Sequence, residues 1–307
     1  MFNSFMTSVD SCAHDVALTG ATLHVREYGS STAPPVILVH GGPGLPGSVD
    51  SLARALAPKL RVFEPFQRDR KLSPSSGPFR ATHHLTDLAE LVAWVTARTS
   101  QIPVVIGHSW GALLALLWGA SPSGRGHKTL LLCPGAVDAD GAAEAGVRLH
   151  GRLDDHGRRR QREINQAYSQ LAKSDAVGRR DLYVQYLELI YPAYFHPGAP
   201  VVDGTLAECQ VWPESYLSIQ DTVDDCDRLI ARAEFLQAVR RLNGPVELFC
   251  GESDLFPWQR LHGELSAHVR RYRFHLFAQA GHFPWLESPS RDLFIRRVLE
   301  ACTRQTW

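Results

Sequence analysis

Residues 102–120 read IPVVIGHSWGALLALLWGA. Val104, Val105 and Ile106 form the short apolar run expected of a strand buried on both faces, and Ala112 to Leu117 form the run expected of a buried helix. Only Gly-His-Ser-Trp-Gly, 107–111, separates them. A strand that enters a helix through so short a link must turn sharply, forcing Ser109 into a strained backbone conformation with its side chain held out. Gly107 and Gly111 let strand and helix approach without a Cβ clash. Ser109 is thus a candidate nucleophile at an elbow, the alternative being a helix-capping serine.

Further short apolar runs flank this one, separated by helical pattern. They end at His40 (PVILVH), Phe66 (LRVFEPF), Cys133 (KTLLLC), Cys250 (PVELFC) and Phe277 (YRFHLF). Between Phe66 and Ile102, Leu85, Leu88, Leu91, Val92 and Val95 repeat at helical spacing. Residues 16–28 alternate around Thr19-Gly20 and predict an antiparallel hairpin at a sheet edge. Strands alternating with helices predict an α/β fold with a mostly parallel sheet covered on both faces. The alternation lapses after Cys133 and resumes near Pro245, with helical periodicity in INQAYSQLAK, RRDLYVQYLELIY and DRLIARAEFLQAVRRL. The expected organisation is a core in two parts, 1–135 and 244–307, with a helical lid, 136–243, inserted between them. Arg158, Arg159, Arg160 and Arg162 in that insertion sit among acids and read as a solvated face.

A serine hydroxyl needs a base to take its proton and a carboxylate to orient the base. Asp254 follows the run ending at Cys250, and His282 follows the run ending at Phe277. In a parallel sheet both loops emerge on the edge that carries the elbow, and the order Ser, Asp, His suits the fold. Glu252 and Asp138 are rival acids, and thirteen other histidines compete with His282, although most fall in helix or strand pattern. A developing oxyanion needs preorganised donors. The glycines after His40, in LVHGGPGLPG, place the N–H of Gly42 near a ligand, and the N–H of Trp110 follows the nucleophile.

Composition narrows the possible partners. With 32 Lys plus Arg against 32 Asp plus Glu, no net positive field exists to hold nucleic acid or an anionic membrane. At 44% hydrophobic content over 307 residues a large core is possible. The six cysteines form no CxxC pair, which suits reduced thiols in a cytoplasm better than disulfides or a metal site. No segment reads as a leader or a bilayer span. The partners expected are a small-molecule or short-peptide substrate, with no cofactor, metal, nucleic acid or membrane. Oligomeric state is left open.

His40-Gly41-Gly42-Pro43-Gly44, Ser109-Trp110-Gly111, Gly251 with Asp254, and Gly281-His282 together resemble the α/β-hydrolase superfamily, and within it the proline iminopeptidase group. The resemblance covers most of 16–134 and 245–303 and is weak between them. It implies the α/β-hydrolase fold and a serine hydrolase. The chain departs from the group at Phe66-Gln67-Arg68-Asp69-Arg70-Lys71-Leu72-Ser73, where the group's acid and both glycines are missing, and at His108, where the group carries glycine. An iminopeptidase also needs acids to hold its substrate's ammonium, since burying one unpaired is costly. Glu208 and Glu214, around Trp212, are the nearest candidates, followed by Asp221, Asp224, Asp225 and Asp227.

Three readings follow. The first is a cofactor-independent serine hydrolase acting through an acyl-enzyme on a small ester, lactone, thioester or amide, with release of N-terminal proline as the alternative substrate class. The second is non-hydrolytic acid/base chemistry on the same fold, and the third is a binding protein without turnover.

Overall fold

The computed structural model describes residues 11–201, 211 and 213–304. Eight strands form one sheet: β1 (Ser11–Leu18), β2 (Ala21–Tyr28), β3 (Pro35–Val39), β4 (Arg61–Pro65), β5 (Val104–His108), β6 (Thr129–Leu132), β7 (Val246–Gly251) and β8 (Tyr272–Phe277). Their spatial order is β1-β2-β4-β3-β5-β6-β7-β8. The pairs β1/β2 and β2/β4 are antiparallel and all later pairs are parallel.

Alternation within each central strand explains why these runs are apolar throughout. Ile37, Val39, Val105, Leu131 and Leu248 join one core, while Val36, Leu38, Ile106, Leu130 and Phe249 join the other. The first core is closed by α2 (Ala81–Thr99), α3 (Trp110–Gly119), α8 (Glu234–Val239) and α9 (Gln259–His268), and the second by α1 (Asp50–Leu56) and α10 (Arg291–Thr303). Between β6 and β7 the chain runs through α4 (Ala139–Arg152), α5 (Asp155–Gln170), α6 (Ala176–Ile190), a 3-10 turn (Tyr191–Tyr194) and α7 (Pro213–Ala231) before α8.

Three expectations about elements need correction. β1 begins at Ser11, five residues before the alternating stretch, because its outer end pairs with β2 while lying largely exposed and so carries no hydrophobic signature. The periodic stretch INQAYSQLAK ends its helix at Gln170, before the final Leu-Ala-Lys. DRLIARAEFLQAVRRL is two helices, broken at Ala233, whose φ of 51° is left-handed. Neither glycine nor proline marks that break. Phe235 and Val239 of α8 pack fully buried into the sheet-facing core.

Candidate active site

Strand β5 delivers Ser109 at φ 55° and ψ −119°, with its backbone N–H bonded to Leu132 O on β6 at 3.0 Å. A Cβ on Gly107 would lie 2.0 Å from Gly111 O, and one on Gly111 would lie 2.3 Å from Val39 O. Both glycines are therefore required by backbone crossing backbone. Ser109 occupies the N-cap position of α3, yet its side chain makes no capping hydrogen bond. Ser109 lines a cavity of about 450 Å³.

His282 lines the same cavity, carried by the loop after β8. Its Nδ1 lies 3.0 and 2.9 Å from the two carboxylate oxygens of Asp254, in the loop after β7. Both side chains are buried, and Asp254 Oδ1 also accepts the Phe256 N–H. A carboxylate accepting from Nδ1–H leaves Nε2 as the ring's available base. The rival acids are placed elsewhere: Glu252 is exposed, and Asp138 caps α4 through Gly141 N. The His282 backbone is pinned on both sides, its N–H donating to Tyr194 O at 2.7 Å and its carbonyl accepting from His108 Nε2 at 3.0 Å. Because a carbonyl only accepts, His108 carries its proton on Nε2 and is neutral. Burial and the nearby His282 hold it well below the usual histidine range.

The loop after β3 passes directly beside the serine. A Cβ on Gly41 would meet Ser109 Cβ at 3.0 Å, and Gly42, at φ 117°, would drive one to 2.5 Å from Gly44 N. Trp110 is the first residue of α3, where backbone N–H groups have no intrahelical acceptor. Gln67 braces the loop after β3 against the start of α3: its Nε2 donates to His40 O at 2.8 Å and its Oε1 accepts from Trp110 Nε1 at 3.0 Å. The Gln67 N–H is bonded to His40 Nε2, and His40, pushed down to about 4 by burial, stays neutral to receive it. Arg68 forms a buried two-bond pair with Asp87 at 2.6 Å. The residues that persist in the divergent 66–73 stretch thus serve as scaffold.

To the same cavity α6 and the 3-10 turn supply Tyr183, Tyr186, Tyr191 and Tyr194, and α7 supplies Val223, Cys226 and Asp227. Of the three substrate-side candidates, Glu208 and Trp212 lie outside the described residues. Glu214 is exposed and is not among the residues that line the cavity. It precedes Val223 by about two and a half helical turns and so faces the opposite way on α7. Among the described residues Asp227, one of the acids that follow Glu214, is the acid lining the cavity. Burial and neighbouring Asp224 push its carboxyl up from the ordinary value.

Sequence reasoning missed Arg148, Arg152 and Glu287, which hold the loops of Asp254 and His282 by backbone contacts. Bonds from side chain to backbone leave no motif, so nothing in the spacing signalled them. Cys12, His14 and Glu27 on the β1/β2 edge bring ligand-type atoms within 4.8 Å of one another. Glu27 there already pairs with Arg61 at 2.8 Å and Arg98 at 3.5 Å, and two guanidiniums oppose a further cation. Cys12, Cys133, Cys226, Cys250 and Cys302 are free thiols. Among the described residues no helix is long and apolar enough to cross a membrane.

Residues 36–294 match the alpha/beta hydrolase family. The chain belongs to that family. Within it, the chain is 33% identical over 120 residues to a proline iminopeptidase of Xanthomonas citri, a stretch covering 36% of this chain and 35% of that protein. The match thus spans about a third of the relative's length. The hydrolase-family fold is also that of VinJ (TM-score 0.67, 16% identity, 95% of this chain and 99% of the other). It is shared with the enol-lactonase of Burkholderia xenovorans LB400 (TM-score 0.60, 16% identity, 95% and 100%).

Proposed function

We propose that the protein is a serine hydrolase in which Ser109 attacks a carbonyl carbon, His282 Nε2 takes the hydroxyl proton, and Asp254 orients the ring and stabilises the imidazolium. The N–H groups of Gly42 and Trp110 receive the oxyanion. His282 then protonates the leaving group, and a water it activates releases the acyl group from Ser109. The helical segment 136–243 acts as a lid whose tyrosines form the substrate-facing wall.

The observation that carries this reading is that Ser109, presented without a capping bond at a strained elbow, lines the same cavity as a histidine already paired to a buried carboxylate. The aromatic and aliphatic side chains that also line this cavity suit an uncharged acyl group on a small ester, lactone, thioester or amide. The test is a panel of aryl esters against prolyl arylamides. Turnover of aryl esters in a Ser109-dependent manner is expected, and turnover of the prolyl amide alone would overturn the ester preference.

One observation favours the iminopeptidase alternative, namely that Asp227 and four tyrosines line the same cavity. A carboxylate beside aromatic faces suits a substrate ammonium. If the natural substrate carries one, Asp227→Asn raises KM for an amine-bearing substrate about tenfold or more, the worth of a charged hydrogen bond, and leaves KM for an uncharged aryl ester unchanged. An equal effect on both would remove this reading.

A further inference from the structure

Helix α4 lies outside the sheet, yet it reaches the loop that carries Asp254. Its last two turns send out Arg148 and Arg152, one turn apart, to the carbonyls of consecutive residues in the acid-bearing loop. Arg148 Nη1 donates to Asp254 O at 2.9 Å, and Arg152 Nη2 donates to Ser253 O. Arg152 Nη1 also donates to Ala193 O at 2.6 Å and lies 3.4 Å from Phe195 O. One guanidinium therefore ties the acid loop to residues 193–195. Between those two carbonyls lies that of Tyr194, which accepts the His282 N–H.

The tie closes on the histidine side as well. Glu287, fully buried, accepts Gly281 N–H at 2.8 Å through one oxygen and His196 N–H at 2.7 Å through the other. His196 Nδ1 in turn lies 2.8 Å from Ser253 Oγ. The acid loop, the histidine loop and residues 193–196 of the interposed segment thus form one unit, and its only donors from a helix outside the core are the two α4 arginines among the contacts just described.

We propose that Arg148 and Arg152 are positioning residues, through which the interposed helices set the Asp254–His282 pair, so that the rate of turnover depends on α4. The inference rests on the serine-hydrolase reading above. Guanidinium suits the task because its planar fork of donors satisfies diverging carbonyls at once, which a lysine ammonium on a flexible stem does less well. Tyr191 and Tyr194 line the cavity on the segment so held. A substrate pressing on that wall therefore bears on the backbone that anchors His282.

The experiment compares wild type with Arg152→Met, Arg152→Lys, Arg148→Met and, as a control on the α5 surface, Arg160→Met. Each is titrated with a fluorophosphonate to count active serines, then assayed for kcat and KM on 4-nitrophenyl acetate, with unfolding temperature measured in parallel. For Arg152→Met, kcat per titrated site falls on the order of 10- to 100-fold, the effect expected of slight misplacement, while KM changes little. Arg152→Lys recovers part of the rate, Arg148→Met falls less, and Arg160→Met matches wild type. A merely structural role would lower unfolding temperature and the number of titrated sites without changing kcat per site, and that result overturns the inference. If Arg152→Met does not fold, Arg152→Lys and Arg148→Met decide by the same readout. Wild type that takes no label would instead overturn the underlying serine-hydrolase reading.

Discussion

At Asp254 and Glu252, two acids separated by one residue in the same loop have opposite fates. Asp254 is buried against His282, whereas Glu252 points to solvent. The expected consequence is that Asp254→Asn lowers kcat on the order of 10³- to 10⁴-fold by disfavouring the required histidine tautomer. Glu252→Gln should stay within about twofold, as surface substitutions do. Steady-state kinetics on an aryl ester check both, and comparable losses would place the orienting acid elsewhere. Sequence order singled out Ser109, Asp254 and His282 as candidates, since each follows a strand-like run. It could not rank Asp227 above Glu214, because which side of a helix faces a cavity is decided by packing with neighbours the sequence does not reveal.

Elements carry strain and charge that single residues do not announce. Ala233 joins α7 to α8 at φ 51°, a conformation costing a residue with a Cβ about 1 kcal/mol or more. Ala233→Gly is expected to raise the unfolding temperature by a few degrees at most, after glycine's own entropy cost; a lowered value would mean the break is not strained. Where β2, β4 and α1 meet, the Tyr28 hydroxyl lies 2.6 Å from Asp50 and 2.9 Å from Glu64. A phenol has one proton, and Asp50, paired with Arg54 at 2.7 Å, is the charged acceptor. Glu64 completes the contact by holding its own proton, and burial, with Asp50 adding to it, pushes its carboxyl up to about 7. The folded chain thus keeps this proton through a window from about 4.5 to 7 in which the unfolded chain has lost it. Stability from this group is full below that window and declines as pH rises through it, by about 3 kcal/mol in all. Denaturant midpoints of Glu64→Gln against wild type from pH 4.5 to 8 should show this decline in wild type and not in the variant. Parallel curves would place the proton elsewhere.

For the molecule as a whole, the sequence was most readable where one physical demand repeats. Every central strand must be apolar on both faces and every turn at the active edge must let backbones cross, so the parallel sheet, the elbow at 107–111 and the glycine loop at 41–44 were legible. The interposed helices were legible as helices but not in arrangement, since α5 is largely polar and the Ala233 break carries no glycine or proline. The hydrogen bonds from Arg148, Arg152, Gln67 and Glu287 to backbone or distant side chains left no periodicity at all, although they bind the separate loops into one site.

The measurement that bears most directly on the account is intact-mass analysis of wild type and Ser109→Ala after exposure to a fluorophosphonate. One adduct on wild type and none on the folded variant is the expected result, because only a serine deprotonated by its histidine reacts. An adduct that persists in Ser109→Ala, or a folded wild type that takes none, would contradict the assignment of Ser109 as the nucleophile.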